Sequence, residues 1–209
     1  MKSKYWNILF VVLFLNFNHT TVDAMVSVNE KKTDVDYAAY SEVYIQNIDL
    51  REMTFEIYDD DKRVFEADHL DEKRLNDLAM ELYENFFLNL KDVISINENQ
   101  DIDPTKKALI LNIKLSGRFR SEDRGLINWM ITKSKAVETN LVLECQLLDA
   151  QTKEELVIIK DEHVLTSPDH EKPLSQSEEL EGISDIFRVW STRFARAIEQ
   201  MRNGEAVTK

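Results

Sequence analysis

The sequence predicts an α+β domain, a two-layer sandwich in which a mainly antiparallel sheet carries two amphipathic helices packed on one face. Three observations predict it. Apolar residues recur at spacings of three and four in 75–90 and again in 183–201, the period of a helix with one buried stripe. Apolar and polar residues alternate in 108–116 and 137–148, the period of a strand with one dry face and one wet face. The order strand, strand, helix, four strands, helix leaves both stripes needing the same sheet for cover.

Residues 1–24 have the parts of a secretory signal peptide and stand outside the fold. Lys2 and Lys4 give a positive start, Trp6 to Phe17 is apolar apart from Asn7 and Asn16, and Val22 and Ala24 supply small residues before a cut. The apolar run is about 12 residues, short of the roughly 20 that span a bilayer. Cleavage after Ala24 is therefore expected, with no transmembrane span in the remainder, which would be periplasmic or secreted in a bacterium. Residues 25–36 are polar and unpatterned, a flexible leader. Residues 37–202 read as one α+β domain, and 203–209 as a disordered tail.

Within the domain, Tyr40 to Ile48 reads as a first strand, with Val43 and Ile45 on one side and Tyr44 on the other. Met53, Phe55 and Ile57 alternate in a second, which Asp59-Asp60-Asp61 ends. Leu75, Leu78, Ala79, Leu82, Phe86 and Leu90 form the stripe of the first helix, with Asp68 or Asp71 placed to accept its free N–H groups. Val93 to Ile96 is a short strand, and Asn97 to Thr105 a polar loop containing Pro104. In Ala108–Ser116, Leu109, Leu111, Ile113 and Leu115 share a face. In Val137–Leu148, Val137, Thr139, Leu141, Leu143, Cys145 and Leu147 do the same. Asp149 to Lys153 is a turn into Leu156–Ile159, and 164–176 is loop. Ile183, Ile186, Phe187, Trp190, Phe194, Ala197, Ile198 and Met201 mark the last helix.

Charge and composition exclude several functions. The chain has 209 residues, with 39 acidic against 26 basic side chains and a net charge of −13. A surface of that sign repels a phosphate backbone, so nucleic-acid binding is not expected. A single cysteine, Cys145, permits no internal disulfide, and with no cysteine at the cleavage point no lipid is attached there. The four glycines are isolated, so no phosphate-cradling loop exists, and there is no Gly-x-Ser-x-Gly elbow. His69, His163 and His170 lack partners at metal-ligand spacing. Asn97 to Asp103 has alternating oxygen-bearing side chains, but Ile102 and Ala108 stand where a calcium loop needs glycine and glutamate. No metal, cofactor or catalytic set is expected.

One segment runs against the general charge. Lys114, Arg118, Arg120, Arg124, Lys133 and Lys135 outnumber Glu122 and Asp123, and they frame the apolar run Gly125 to Ile131 around Trp129. Apolar residues framed by basic ones suit an anionic surface. Arg118, Arg120, Arg124, Leu126, Ile127, Trp129, Met130 and Lys133 are the candidate contacts with an envelope protein or an anionic membrane surface. The competing reading is a hairpin extension whose Leu126, Ile127, Trp129 and Met130 fold back onto the core.

Tyr40–Ile45, Leu109–Leu115, the hairpin Glu144–Leu156 and Trp190–Ile198 together resemble a bacterial envelope family known only as domain of unknown function 3313, over about residues 37–202. The resemblance implies a lipoprotein-like α+β envelope domain with no assigned activity and no catalytic residues to carry over. This sequence departs from the family's common pattern by lacking the lipid-bearing cysteine. The expected function is that of an exported, non-enzymatic accessory or interaction protein of the envelope. Two alternatives remain open. One is a small-molecule binder with a cleft between sheet and helices lined by Tyr44, Tyr83 or Trp190. The other is a hydrolase built on His163 and Asp161, two residues apart on one strand face.

Overall fold

Alternation in sequence becomes facing in space. The computed structural model describes residues 27–59, 62–67, 72–98, 102–103, 105–122, 136–166, 176–205 and 207. Strands β5 (Ala108–Glu122) and β6 (Ala136–Asp149) pair antiparallel from Leu109↔Asp149 to Ser121↔Ala136. Leu109, Leu111, Ile113, Leu115 and Phe119 of β5 lie buried on the same side as Leu141, Leu143, Cys145 and Leu147 of β6. At Gly117 the two backbones approach so closely that a Cβ would stand 2.2 Å from the Asn140 carbonyl oxygen, which only glycine permits.

The sheet extends outward from this pair. β7 (Glu155–Thr166) lies antiparallel to β6, and β1 (Ser27–Lys31) lies antiparallel to β7 from Ser27↔Lys160 to Lys31↔Val157. On the other side β2 (Glu42–Asp59) runs parallel to β5. The free edge of β2 is covered at its start by β4 (Ser95–Ile96), in parallel, and at its end by β3 (Lys62–Ala67), antiparallel. The order is β1-β7-β6-β5-β2-β3, with β4 beside β2. The sheet is therefore mixed and mainly antiparallel, its one long parallel pairing made possible by the helical crossover between β3 and β5.

Helices α1 (Glu72–Leu90) and α2 (Gln176–Arg202) cover one face, and they run parallel to each other. Three ties fix that direction: Arg74 to Glu179 near their starts, Phe86 against Phe194 at 5.3 Å in the middle, and Arg202 to the Val93 carbonyl past their ends. Leu78, Leu82, Phe86 and Leu90 of α1 join Ile183, Phe187, Trp190, Phe194, Ile198 and Met201 of α2 in the core. A fully buried side chain of this size contributes roughly 1.5–3 kcal/mol, so these two stripes are a major part of the packing against the sheet. The Arg74 guanidinium also lies 4.3 Å from the centre of the Phe119 ring near the end of β5, so both helices start where β5 finishes.

Several expectations are corrected. The two strands expected in 40–57 are one strand, β2, kinked by register shifts between Ile45 and Asn47 and between Asp49 and Glu52. Residues 27–31, expected within a loose leader, form β1. β3 was not expected, β4 is only two residues, and β7 continues to Thr166. Asn203 to Glu205, expected in a disordered tail, close α2: Gly204 at φ +71° donates to the Met201 carbonyl at 3.2 Å, and Glu205 donates to that of Gln200 at 2.8 Å. Asp68 and Asp71, the expected caps of α1, lie outside the described residues.

The far face of the sheet is mostly wet, with one exception. Tyr44, Ala108, Ile110 and Ala150 are buried there with Ile102 and Leu148 around them. The Tyr44 hydroxyl accepts from Asn97 Nδ2 at 3.2 Å and the Asp103 N–H at 3.4 Å, holding the loop over this small core.

Candidate functional site

The basic segment begins on β5, where Lys114 and Arg118 point to the wet face. There Lys114 pairs with Glu52 of β2 at 2.7 Å. Arg118 lies between Glu56 at 3.6 Å and Glu138 at 3.8 Å, so β2 and β6 each present it with a carboxylate. The backbone of Arg120 stands in register with Glu56 and Glu138. What reads as an isolated basic run in sequence is thus compensated along the strand by acids from both neighbours. Arg124, Leu126, Ile127, Trp129, Met130 and Lys133 lie outside the described residues. The residues joining β5 to β6 are 123–135, and pairing up to Ser121↔Ala136 makes them the connection of a long hairpin. That hairpin ends on the side where α1 and α2 start.

His163 and Asp161 do share a face of β7, and it is the face beneath α2. Asp161 is 4% exposed. Its Oδ1 accepts from the Glu162 N–H at 2.9 Å, while its Oδ2 lies 3.7 Å from an Arg193 guanidinium nitrogen. Burial pushes the Asp161 carboxyl up from the ordinary aspartate range, with the Glu162 N–H, Arg193, His163 and the Trp190 side chain pulling the other way. Burial holds the His163 imidazole below its ordinary value, keeping it neutral at pH 7. Arg193 is the third polar group to converge there, and the set sits under a helix.

A second polar cluster lies nearer the hairpin. Glu179, 4% exposed, receives Arg74 at 3.0 Å on Oε2 and the Thr139 hydroxyl at 3.2 Å on Oε1. Burial raises its carboxyl above the glutamate range, and Arg74 and Thr139 offset part of that. Sequence reasoning missed Glu179 because an acid in the first turns of a helix ordinarily faces water.

Tyr44, Tyr83 and Trp190, each a candidate lining of a cleft between sheet and helices, lie apart. Tyr44 is under the loop on the wet face, Trp190 is in the main core, and Tyr83 stacks on Phe87 along α1 at 6.1 Å. A depression of about 350 Å³ lies instead at the far ends of the helices, lined by Ala38, Asp92, Val93, Glu199, Arg202 and Asn203. Among the described residues no three His, Cys, Asp or Glu side chains gather to hold a metal ion. No described helix is long and apolar enough to cross a membrane.

No family model matches the chain, so the resemblance to domain of unknown function 3313 gains no support there. No curated protein matches it either. Among solved structures, it is similar to a Xanthomonas campestris protein of the family of unknown function 330, at 9% identity and TM-score 0.48, covering 87% of this chain and 95% of that one. It is similar to a PelC dodecamer subunit from Paraburkholderia phytofirmans at 8% identity and TM-score 0.41, covering 86% and 98%. A minor lipoprotein from Acinetobacter baumannii gives 12% identity and TM-score 0.37, covering 78% and 93%. Likenesses at this level transfer no activity.

Proposed function

We propose that this chain is an exported, non-enzymatic accessory protein of the cell envelope that contacts an anionic membrane surface through the connection between β5 and β6. The observation that carries the reading is the hairpin. Its strands stay in register to Ser121↔Ala136, and the 13 residues joining them include the apolar run Leu126 to Ile131 with Arg124 and Lys133 at its flanks. Arg118 and Lys114, further down the strand, have acid partners, so the reading rests on the basic and apolar residues of the connection. The net charge of −13 does not forbid this contact. At physiological salt charges are screened beyond about 8 Å, so a local basic and apolar segment acts on what it touches.

The test is co-flotation of the mature chain with phosphatidylglycerol-containing and pure phosphatidylcholine vesicles. Binding is expected to the anionic vesicles, weakened by salt, and reduced at least tenfold by Trp129→Ser with Met130→Ser at unchanged Tm. Equal recovery with both vesicle types, or with neither, overturns the reading. A large fall in Tm would assign both side chains to the core instead.

A further inference from the structure

β1 covers only part of the edge on which it lies. It pairs with β7 from Ser27↔Lys160 to Lys31↔Val157, while β7 continues to Thr166. Among the described residues, no strand lies beside the outer edge of 161–166. This stretch is not a frayed end. β6 pairs with its other side as far as Glu138↔Thr166, and Asp161 within it is buried beneath α2. A firm strand with an uncovered edge offers a row of N–H and C=O groups to an extended segment that reaches it.

The chain itself supplies such a segment. The register Ser27↔Lys160, Val28↔Ile159, carried back toward the N-terminus, sets Val26 opposite Asp161, Ala24 opposite His163 and Val22 opposite Leu165. Ile159 and Asp161 are buried and Leu165 packs against the core, so these are the core-facing positions of the edge. The positions between them, Asp23, Met25 and Ser27, fall opposite Val164, Glu162 and Lys160, and Lys160 pairs with Glu144 on the wet face. Val22, Ala24, Val26 and Val28 thus alternate with Asp23, Met25 and Ser27 in the phase this edge demands. The alternation spans the expected cut after Ala24, so neither side of the cut shows it alone. We propose that Val22 to Val26 dock as the continuation of β1 and cover β7 to Leu165 before processing. Cleavage after Ala24 then removes the pairs to His163 and Leu165, so processing creates a free strand edge on the finished protein. The docking is independent of the membrane contact proposed above, while the uncovering rests on the signal-peptide reading of 1–24.

Hydrogen exchange compares a chain beginning at Thr21 with one beginning at Met25, neither carrying a substitution. The outward-pointing amides within 163–165 of β7 are expected to exchange at least about tenfold more slowly in the longer chain, with those of 157–160 and of α2 unchanged. Equal exchange in the two chains overturns the proposal. The register is tested by cross-linking in the longer chain, where Cys145 is buried and takes no part. Ala24→Cys with His163→Cys is expected to form a disulfide, because opposed residues of an antiparallel pair bring their Cα atoms to about 4.5–5.5 Å. Ala24→Cys with Val164→Cys places the two thiols on opposite faces and is expected to stay reduced. Linkage in the second pair, or in neither, overturns the proposal.

Discussion

Arg74 of α1 holds Glu179 of α2 at 3.0 Å while its guanidinium covers the Phe119 ring of β5. One side chain thus ties both helices to the sheet. Replacing it strands a buried carboxylate. Arg74→Met is expected to cost about 2–4 kcal/mol at pH 7.5, and visibly less at pH 5, where Glu179 can take a proton. Glu179→Gln keeps the hydrogen-bonding shape and is expected to cost under about 1 kcal/mol. Urea denaturation of the three chains at both pH values checks the order.

Gly117→Ala is expected to be among the most damaging conservative changes in the molecule. Its new Cβ would collide with backbone at Asn140, which cannot swing aside as a side chain would. The expected loss is at least about 2 kcal/mol, read from the midpoint of urea unfolding. A change within experimental error would mean that β5 and β6 can separate there without cost.

The turn between β6 and β7 offers a gain instead. Lys153 has φ 61°, in the left-handed region that side chains disfavour. The turn is otherwise well fastened, with Asp149 accepting from the N–H groups of Gln151 and Thr152, both at 2.8 Å, and from the Tyr40 hydroxyl at 2.7 Å. Lys153→Gly is expected to stabilise by up to about 1 kcal/mol. A higher Tm with the same denaturant slope would confirm it.

Stability is expected to fall as acid titrates the carboxylates that ion pairs and hydrogen bonds hold down, and the buried Asp161 and Glu179 are expected to oppose that fall. On the upper side, Asp161 and Glu179, whose carboxyls are raised, contribute below their unfolded values and lose that contribution as pH rises. His163, lowered, works against them below its ordinary value of about 6.5. On the lower side, Arg51 holds Asp49 down to about 2 through a hydrogen-bonded ion pair. Glu42 is lowered chiefly by Lys106, and Asp103 chiefly by Thr105. These contributions exist above the unfolded carboxyl values and disappear as acid titrates each group. Unfolding midpoints at pH 7.5, 5.5 and 3.5 of the unaltered chain and of Glu179→Gln trace the curve, and a steeper acid fall is expected in the variant; identical curves would contradict it.

The fold was legible where burial follows a simple period. Trp190, Phe194 and Ile198 announce α2, and Leu109 to Leu115 announce β5, because each element has one dry side along its whole length. β2 was not legible as one strand. Its core-facing Val43, Ile45, Ile48, Leu50 and Met53 skip a residue at each register shift, so no uniform alternation survives. β1 and β3 are short edge strands whose pairing depends on distant partners rather than on their own residues. At the candidate site, sequence could pair His163 with Asp161 by spacing. It could not show that α2 closes over them, or that Glu179 is buried, because an acid's exposure depends on what other segments lay upon it.

Because α1 and α2 run in the same direction, their macrodipoles add rather than cancel. Each helix carries the equivalent of about half a positive charge at its start and half a negative charge at its end. Both positive poles lie at the end of the sheet where β5 finishes, and both negative poles lie where Arg202 reaches the Val93 carbonyl. The domain is therefore polarised along its strands, on top of a net charge of −13. Within the roughly 8 Å that charge reaches at physiological salt, a negatively charged surface favours the hairpin end of such a molecule over the other. The backbone thus biases the orientation of close approach, and recognition is left to the side chains.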